Sequence, residues 1–522
     1  HRGMPVRQTL IGAAVLGLLA FAIHGLWPGG TSSLPAVVVQ TTSEPVQTLF
    51  APPEAGKNKR WLKVDFRDVD GVLRRGKVAL RGFSAWHHGR KKPSLRINPK
   101  GPGYGGVNFV ELSRPEDPLA VCNWLPDQLG AGLGLMHEHS EAVRLRLNGR
   151  NLGVYLRSVR PGEDLCAAEG RPIGTFFKGD SLGDRRHLDL WAGSASWRAI
   201  GSKHGKAIEA LDEMLAALRE PATAATFRRL QGVLDLDAMA RVLAVASLVA
   251  SIHADSAHNH VLFYDYDKQQ LEPLLWDANG FGIHADPELA VEVARHPLAA
   301  RLLCFPEFLH RRNQVLWQLL HGAGSADGLV AAVDRRLANL DSALRSDPEI
   351  ARLVLRRGVF EVEAIDYDDL PSARAEFVQF VERRETHLTH WFGDARVTWS
   401  SSPEDPEQTN VTVFGAVAIK LSRRDGAAVR AADGRDASIL WPGIGERLVD
   451  VRQLQHTGGR GVSAPHGVPA PMHYVIACPA EQLLAHNAFT DEAVAPTSVA
   501  PVPLSTRSVH PWQHASTPAT PR

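Results

Sequence analysis

The stretch SIHADSAHNHVLFYDYDKQQLEPLLWDANG, residues 251–280, carries two short apolar runs, HVLFYD at 260–265 and LEPLLW at 271–276, with acids, amides and histidines crowded at both ends. Runs of this length, rich in aromatic and branched side chains and broken by a polar turn at 266–270, predict a β-hairpin. In an antiparallel pair the start of one strand lies beside the end of the other. Asp255 and Asn259, which precede the first run, are therefore expected next to Asp277, which follows the second. Residues 236–252 read as an apolar helix feeding directly into this segment.

Outward from the hairpin the chain changes texture in blocks. From Trp61 the alternating stretches LKVDFRD, GKVALRG and SLRIN predict successive antiparallel strands, and residues 119–136 read as helical. At 140–159, SEAVRLRLNGRNLGVYLRSV predicts a second hairpin, turned at Asn148-Gly149, a pair that accepts positive φ. Ile208, Leu211, Leu215 and Leu218 recur at helical spacing, and further amphipathic helices are expected through 288–395, beginning with ELAVEVARHPLAARLL. The expected fold is α+β, with an antiparallel β-rich N-terminal lobe and a helical C-terminal lobe. Its expected divisions are a membrane anchor or signal segment at 1–30, a linker at 31–55, a main domain at 56–395, a small β-rich module at 396–480 and a disordered Pro/Ser/Thr-rich tail at 481–522.

The 522 residues are 44% hydrophobic and 22% charged, which suits a chain with substantial cores. A formal net charge of +1 supplies no general attraction to nucleic acid, and no nucleic-acid partner is expected. Cys122, Cys166, Cys304 and Cys478 are too dispersed for a CxxC metal site, leaving one or two bridges or buried thiols open. Residues 10–27 form an uncharged run long enough to cross a bilayer. Arg2 and Arg7 precede it and the next basic residue is Lys57, which orients the N-terminus inward and the bulk outside. A retained anchor is favoured over a removable signal peptide, so the bulk is expected to be extracytoplasmic.

An Asp, an Asn four positions later, a hairpin and a second Asp follow one another as Asp255, Asn259 and Asp277. Protein kinases order a catalytic carboxylate, a metal-holding amide and a metal-binding carboxylate in this way, because phosphoryl transfer needs divalent ions on the phosphates and a group that orients the attacking hydroxyl. Asp and Asn at strand ends are also ordinary turn formers. His253, His258 and His260 offer a zinc alternative, although no H-E-x-x-H helix accompanies them. Residues 79–98 concentrate Arg81, Arg90, Lys91, Lys92 and Arg96, which suits phosphates or, equally, a solvated edge strand. Lys178 is a further candidate for nucleotide contact. GDSLG at 179–183 permits an esterase nucleophile at Ser181, but the following residues make a poor helix for a nucleophile elbow. GPGYGG at 101–106 fits G-x-G-x-x-G formally, with a proline inside and no helix after it, and the chain has no Walker A motif.

Three features together resemble the CotH family, the spore-coat-protein-H-like atypical kinases. They are Leu80-Arg81-Gly82 with Ser84 and Trp86 leading to Lys91-Lys92-Pro93-Ser94-Leu95-Arg96, Asn148-Gly149 leading to Leu152-Gly153-Val154-Tyr155, and Asp255 with His258-Asn259 leading to Trp276-Asp277. The resemblance extends over about 60–390 and implies a kinase-like α+β fold, ATP with Mg²⁺ or Mn²⁺, and γ-phosphoryl transfer to Ser or Thr of an envelope or coat protein. It implies Asp255 as the catalytic carboxylate, Asn259, Asp277 and Asn279 at metal, and Arg81, Lys91, Lys92 and Lys178 towards the phosphates. The chain differs from the family at Phe83, where Asn is usual, at 157–159, where a Glu is often found, and at Asn279, commonly a second acid. A catalytically reduced kinase fold acting as an interaction scaffold is the alternative function.

Overall fold

The computed structural model describes residues 34–41, 60–82, 87, 91–100, 109–179, 189–201, 204–255, 259–281, 286–291, 296–356, 359–450 and 463–497. The expectation for the apolar run at 10–27 lies outside these residues, and no described helix is long and apolar enough to cross a membrane. The fold is α+β.

The N-terminal strands close into a barrel. They are β1 (Ala36–Thr41), β2 (Leu62–Arg67), β3 (Leu73–Leu80), β4 (Leu95–Pro99) and β5 (Val110–Ser113), then, after helix α1 (Trp124–Gly132), β6 (Glu141–Leu147) and β7 (Arg150–Ser158). The order around the barrel is β1-β2-β3-β4-β5-β7-β6, with antiparallel neighbours except where β1 closes it alongside β6, Val37 opposite Leu145. Strand periodicity turns Leu62, Val64 and Phe66 inward and leaves the residues between them at the surface. The expected hairpin is present, with Asn148 at φ 49° and Gly149 at φ 76° in the turn. β1 falls in the stretch expected to be a linker; Val37 and Val39 are fully buried there, and without them the barrel would stand open.

The chain then forms α2 (Glu163–Ala168), β8 (Thr175–Gly179), β9 (Arg198–Ile200), α3 (Gly205–Leu218), α4 (Ala224–Val233) and α5 (Leu236–Leu248), followed by the central hairpin, β10 (His260–Asp265) and β11 (Gln270–Pro273). These four strands make one antiparallel sheet in the order β11-β10-β8-β9. Asp235 caps α5 by accepting the Ala238 N–H. Helices α6 (Pro297–Leu303), α7 (Pro306–Leu320), α8 (Ala326–Arg345) and α9 (Leu370–Gly393) complete the helical body. Within the region expected to be all helix, residues 350–365 instead form the hairpin β12 (Ile350–Arg356) and β13 (Val359–Ile365). The alternation of Phe360, Val362 and Ala364 with Glu361 and Glu363 in VFEVEAI has the two-residue period of a strand.

Beyond α9 come β14 (Ala395–Ser401), β15 (Thr409–Gly415), β16 (Ile419–Arg423), β17 (Ile439–Leu440), β18 (Gly443–Asp450), β19 (Ser463–Ala470), β20 (Met472–Ile476) and β21 (Leu483–Asn487). They pair as three small sheets, and Leu388 and Phe392 of α9 share one apolar cluster with Val397, Val411 and Ile419. β21 lies inside the stretch expected to be a disordered tail; buried Leu483 and Ala485 hold it against β16. All four cysteines are free thiols.

The barrel is fastened to the helical body by a buried ion pair. Lys92 Nζ lies 2.5 Å from Asp347 Oδ2, with the lysine side chain 4% and the aspartate 1% exposed. Asp347 also accepts the Val154 N–H at 2.7 Å, and Lys92 donates to the Glu349 carbonyl at 3.2 Å. Gly153, at φ 91°, makes room: a Cβ there would fall about 2.2 Å from the Asp347 carboxylate. Removing one member of a buried pair strands the other charge, at a cost of about 3–5 kcal/mol. Asp347→Ala is therefore expected to lower unfolding stability by about that amount in urea denaturation, and Lys92→Met in the same chain to recover most of it. A loss below ~1 kcal/mol for Asp347→Ala would remove the pair from its fastening role.

Candidate functional site

The candidate site grows from the open end of the central hairpin. α5 stops at Leu248, Ala250 turns the chain at φ 53°, and β10 begins at His260, after Asn259. On the other strand the chain passes Trp276 and turns at Asp277, φ 49°. Gly280 lets this return loop press against Val249, whose carbonyl would lie 2.5 Å from a Cβ, and Phe281 donates to that same carbonyl at 3.0 Å. The two loops are laced together by His253, whose Nδ1 sits 3.0 Å from the Asp277 carbonyl and 3.1 Å from its Oδ2. Burial opposes a charge on this imidazole, but the Asp277 carboxylate more than offsets it and His253 is pushed up to about 10. Asn259, at φ 64°, donates to the His253 carbonyl at 3.1 Å.

The facing side comes from the segment around α1. Met136 accepts the Leu275 N–H at 2.9 Å, and His137 pairs with Leu275 in a parallel bridge, so residues 136–139 run alongside the end of the hairpin. Glu138 projects from this segment and is buried; burial, with repulsion from Asp277 and Asp127, pushes its carboxyl up to about 8. Asn123 donates to Asp277 Oδ1 at 3.3 Å and also to Asn279 Oδ1. The Asn279 amide nitrogen in turn donates to Glu116 Oε2 at 2.6 Å.

Beside these acids lies an excess of guanidinium charge. Glu111 accepts Arg81 Nε at 2.7 Å and Arg96 Nε at 2.6 Å, while Arg160 Nε stands 3.3 Å away. Burial works against its ionisation, yet the three arginines hold the carboxyl below the usual range. Arg81 also reaches Glu138, at 3.9 Å, and so links the two groups. Burial pushes Arg160 down to about 10 against the pull of Glu111, with Arg96, Arg198 and Arg81 adding repulsion.

Of the residues singled out in the sequence, Asp277, Asn279 and Asn259 meet through His253 and Asn123, and Arg81 borders them. Lys178, on β8 opposite Val261, lies 5.4 Å from the Trp276 ring centroid, next to Asp277 in sequence. Asp255 is buried, and its carbonyl accepts from His260 Nε2. Two of the basic residues are placed elsewhere. Lys92 is held by Asp347, because a buried ammonium needs a carboxylate more than it needs solvent, and Lys91 is exposed at the surface. The zinc alternative separates: His253 faces Asp277, whereas His260 packs against Trp191 and His296. Phe83, Arg90, the loop at 101–106, Ser181 and His258 lie outside the described residues. Sequence reading missed Glu138, Glu116, Asn123 and the Glu111 hub; the buried acid inside His137-Glu138-His139 was the one local signal available.

The donors gathered here are carboxylate and amide oxygens, the set that suits Mg²⁺ or Mn²⁺ rather than a soft metal. The Asp277 and Asn279 side-chain oxygens share one donor in Asn123, and the buried Glu138 carboxyl interacts with Asp277, so these hard oxygen donors fit a divalent ion. Asp277, Asn279 and Glu138 would hold it.

An α+β scaffold with carboxylates, amides and arginines meeting where a barrel joins a helical body is the class of protein defined so far. The sequence model of the CotH kinase protein family matches residues 78–388, and the chain belongs to that family. No curated protein matches the chain.

Because burial and Asp277 hold the Glu138 carboxyl protonated in the fold at a neutral pH where the unfolded chain would ionise it, Glu138→Gln is expected to raise the thermal midpoint of chelator-treated protein by a few degrees and to weaken its stabilisation by Mn²⁺. Thermal scans with and without Mn²⁺ check both halves. An unchanged Mn²⁺ response would place Glu138 outside the ion's coordination.

Proposed function

We propose that this chain is an atypical protein kinase that transfers the γ-phosphoryl group of ATP to a Ser or Thr of a protein acceptor, with Mg²⁺ or Mn²⁺. In this reading the barrel and the helical body are the two lobes of a kinase-like fold, with the nucleotide between them. The observation that carries it is the pairing of opposite chemistries at one place: arginines in excess over Glu111, suited to phosphates, beside oxygen donors suited to a divalent ion. Asp255 takes the proton of the acceptor hydroxyl as its oxygen attacks the γ-phosphorus and the bond to the β–γ bridging oxygen breaks. Arg81, with Arg96, Arg160 and Lys178, holds the phosphates and stabilises the charge left on ADP. Asp277 and Asn279, with Asn259 and Glu138 beside them, position the ion, which supplies charge neutralisation on the phosphates when bound. The apolar run at 10–27 anchors the protein with its bulk extracytoplasmic, so the acceptor is an envelope or coat protein.

A scaffold without catalysis is the second reading, favoured by one observation: Lys92 is bonded to Asp347 and Arg81 to Glu111 instead of standing open to a ligand. Calorimetry of ATP binding in Mn²⁺ separates the two. The kinase reading expects saturable binding that Asp277→Ala abolishes, whereas Asp255→Asn keeps binding and lowers transfer by roughly 10²–10⁴-fold. Absence of metal-dependent ATP binding by well-folded wild-type protein would favour the scaffold.

A further inference from the structure

The segment that delivers Glu138 carries a second cluster of titratable side chains. Glu138 interacts electrostatically with Asp277, while its neighbours His137 and His139, the latter turned to φ 54°, meet a different acid. Both imidazoles meet Glu169, which caps the C-terminal end of α2. His139 Nε2 lies 2.8 Å and His137 Nδ1 3.2 Å from the same oxygen, Oε1, and the His137 backbone N–H reaches it too, at 3.2 Å. The two rings stack with centroids 4.1 Å apart.

We propose that His137, His139 and Glu169 form a binding site for a transition-metal dication of the Zn²⁺ type, separate from the phosphoryl-transfer site and independent of that reading. The three donor atoms lie within 4.8 Å of one another. Bonds of about 2.1 Å in a tetrahedron set donors about 3.4 Å apart, and the two measured imidazole–carboxylate spacings, 2.8 and 3.2 Å, are already close to that edge. Two imidazoles and one carboxylate select a borderline ion over Mg²⁺, whose ligands are oxygens. His139 is 31% exposed on its side chain, which leaves water access to a fourth position. An ion here would tie the end of α2 to the segment carrying Glu138.

The test uses the whole protein, stripped with chelator and titrated with Co²⁺ while its visible absorption is followed, then back-titrated with Zn²⁺. One equivalent is expected to bind, with His139→Ala and Glu169→Gln each weakening affinity at least tenfold. Asp277→Ala, which removes the other site's carboxylate, is expected to leave this affinity unchanged. X-ray absorption on the Zn²⁺-loaded wild type needs no variant and is expected to show two imidazoles and oxygen at about 2.0–2.1 Å. Failure of folded wild-type protein to bind one equivalent would overturn the proposal, as would an all-oxygen shell or an affinity indifferent to both substitutions.

Discussion

The Lys92–Asp347 pair sets the geometry on which the site depends. Charges taken out of water stabilise a fold only when every partner is in place. Here the carboxylate has the ammonium and the Val154 N–H, and the ammonium has the Glu349 carbonyl as well. The pair joins the residue leading into β4 to the loop after α8, 255 positions apart in sequence. Neighbouring contacts follow the same seam, with Leu353 donating to the Glu116 carbonyl and Arg336 to that of Ala120. Arg81, Glu116, Asn123 and Glu138 enter the site from one side of that seam and His253, Asp277 and Asn279 from the other. A shift of the barrel would separate them.

Backbone strain is concentrated where the two sides meet. Ala250, Asn259, Asp277 and Phe281 all adopt positive φ without being glycine, within one pair of loops at the end of one hairpin. Asn and Asp tolerate this region, but an alanine and a phenylalanine gain nothing from it locally. The compensation is tertiary: Phe281 packs on Phe377 and donates to the Val249 carbonyl, and His253 bridges the loops through Asp277. Such loops hold carboxylates and amides in a fixed spacing that regular strands do not offer.

The central hairpin was legible because its information is local: two apolar runs, a polar turn, and the antiparallel rule that brings Asn259 towards Asp277. Asn148-Gly149 was legible for the same reason. What sequence could not reveal were partners set by distant pairing. Lys92 looked like a phosphate ligand among basic neighbours, and nothing near it announces Asp347. Glu138 and Asn123 flank a helix with no periodicity or spacing that points at residue 277. The strands β1 and β21 were obscured by their surroundings, which are rich in Gly, Pro, Ser and Thr, although buried Val37, Val39, Leu483 and Ala485 decide their fate.

The positions at which this chain differs from the family pattern take on a spatial meaning. Ser158 sits in the stretch where a glutamate is often found, and its partner across the strand pair is Glu111, the carboxylate that gathers Arg81, Arg96 and Arg160. Asn279 stands where a second acid is common, and its amide donates to the carboxylate of Glu116. In both places a carboxylate lies one strand or one hydrogen bond away. Coulomb forces act on the position of a charge and take no account of the residue number that supplies it. An acid thus stands beside both the 157–159 stretch and Asn279, at Glu111 and Glu116.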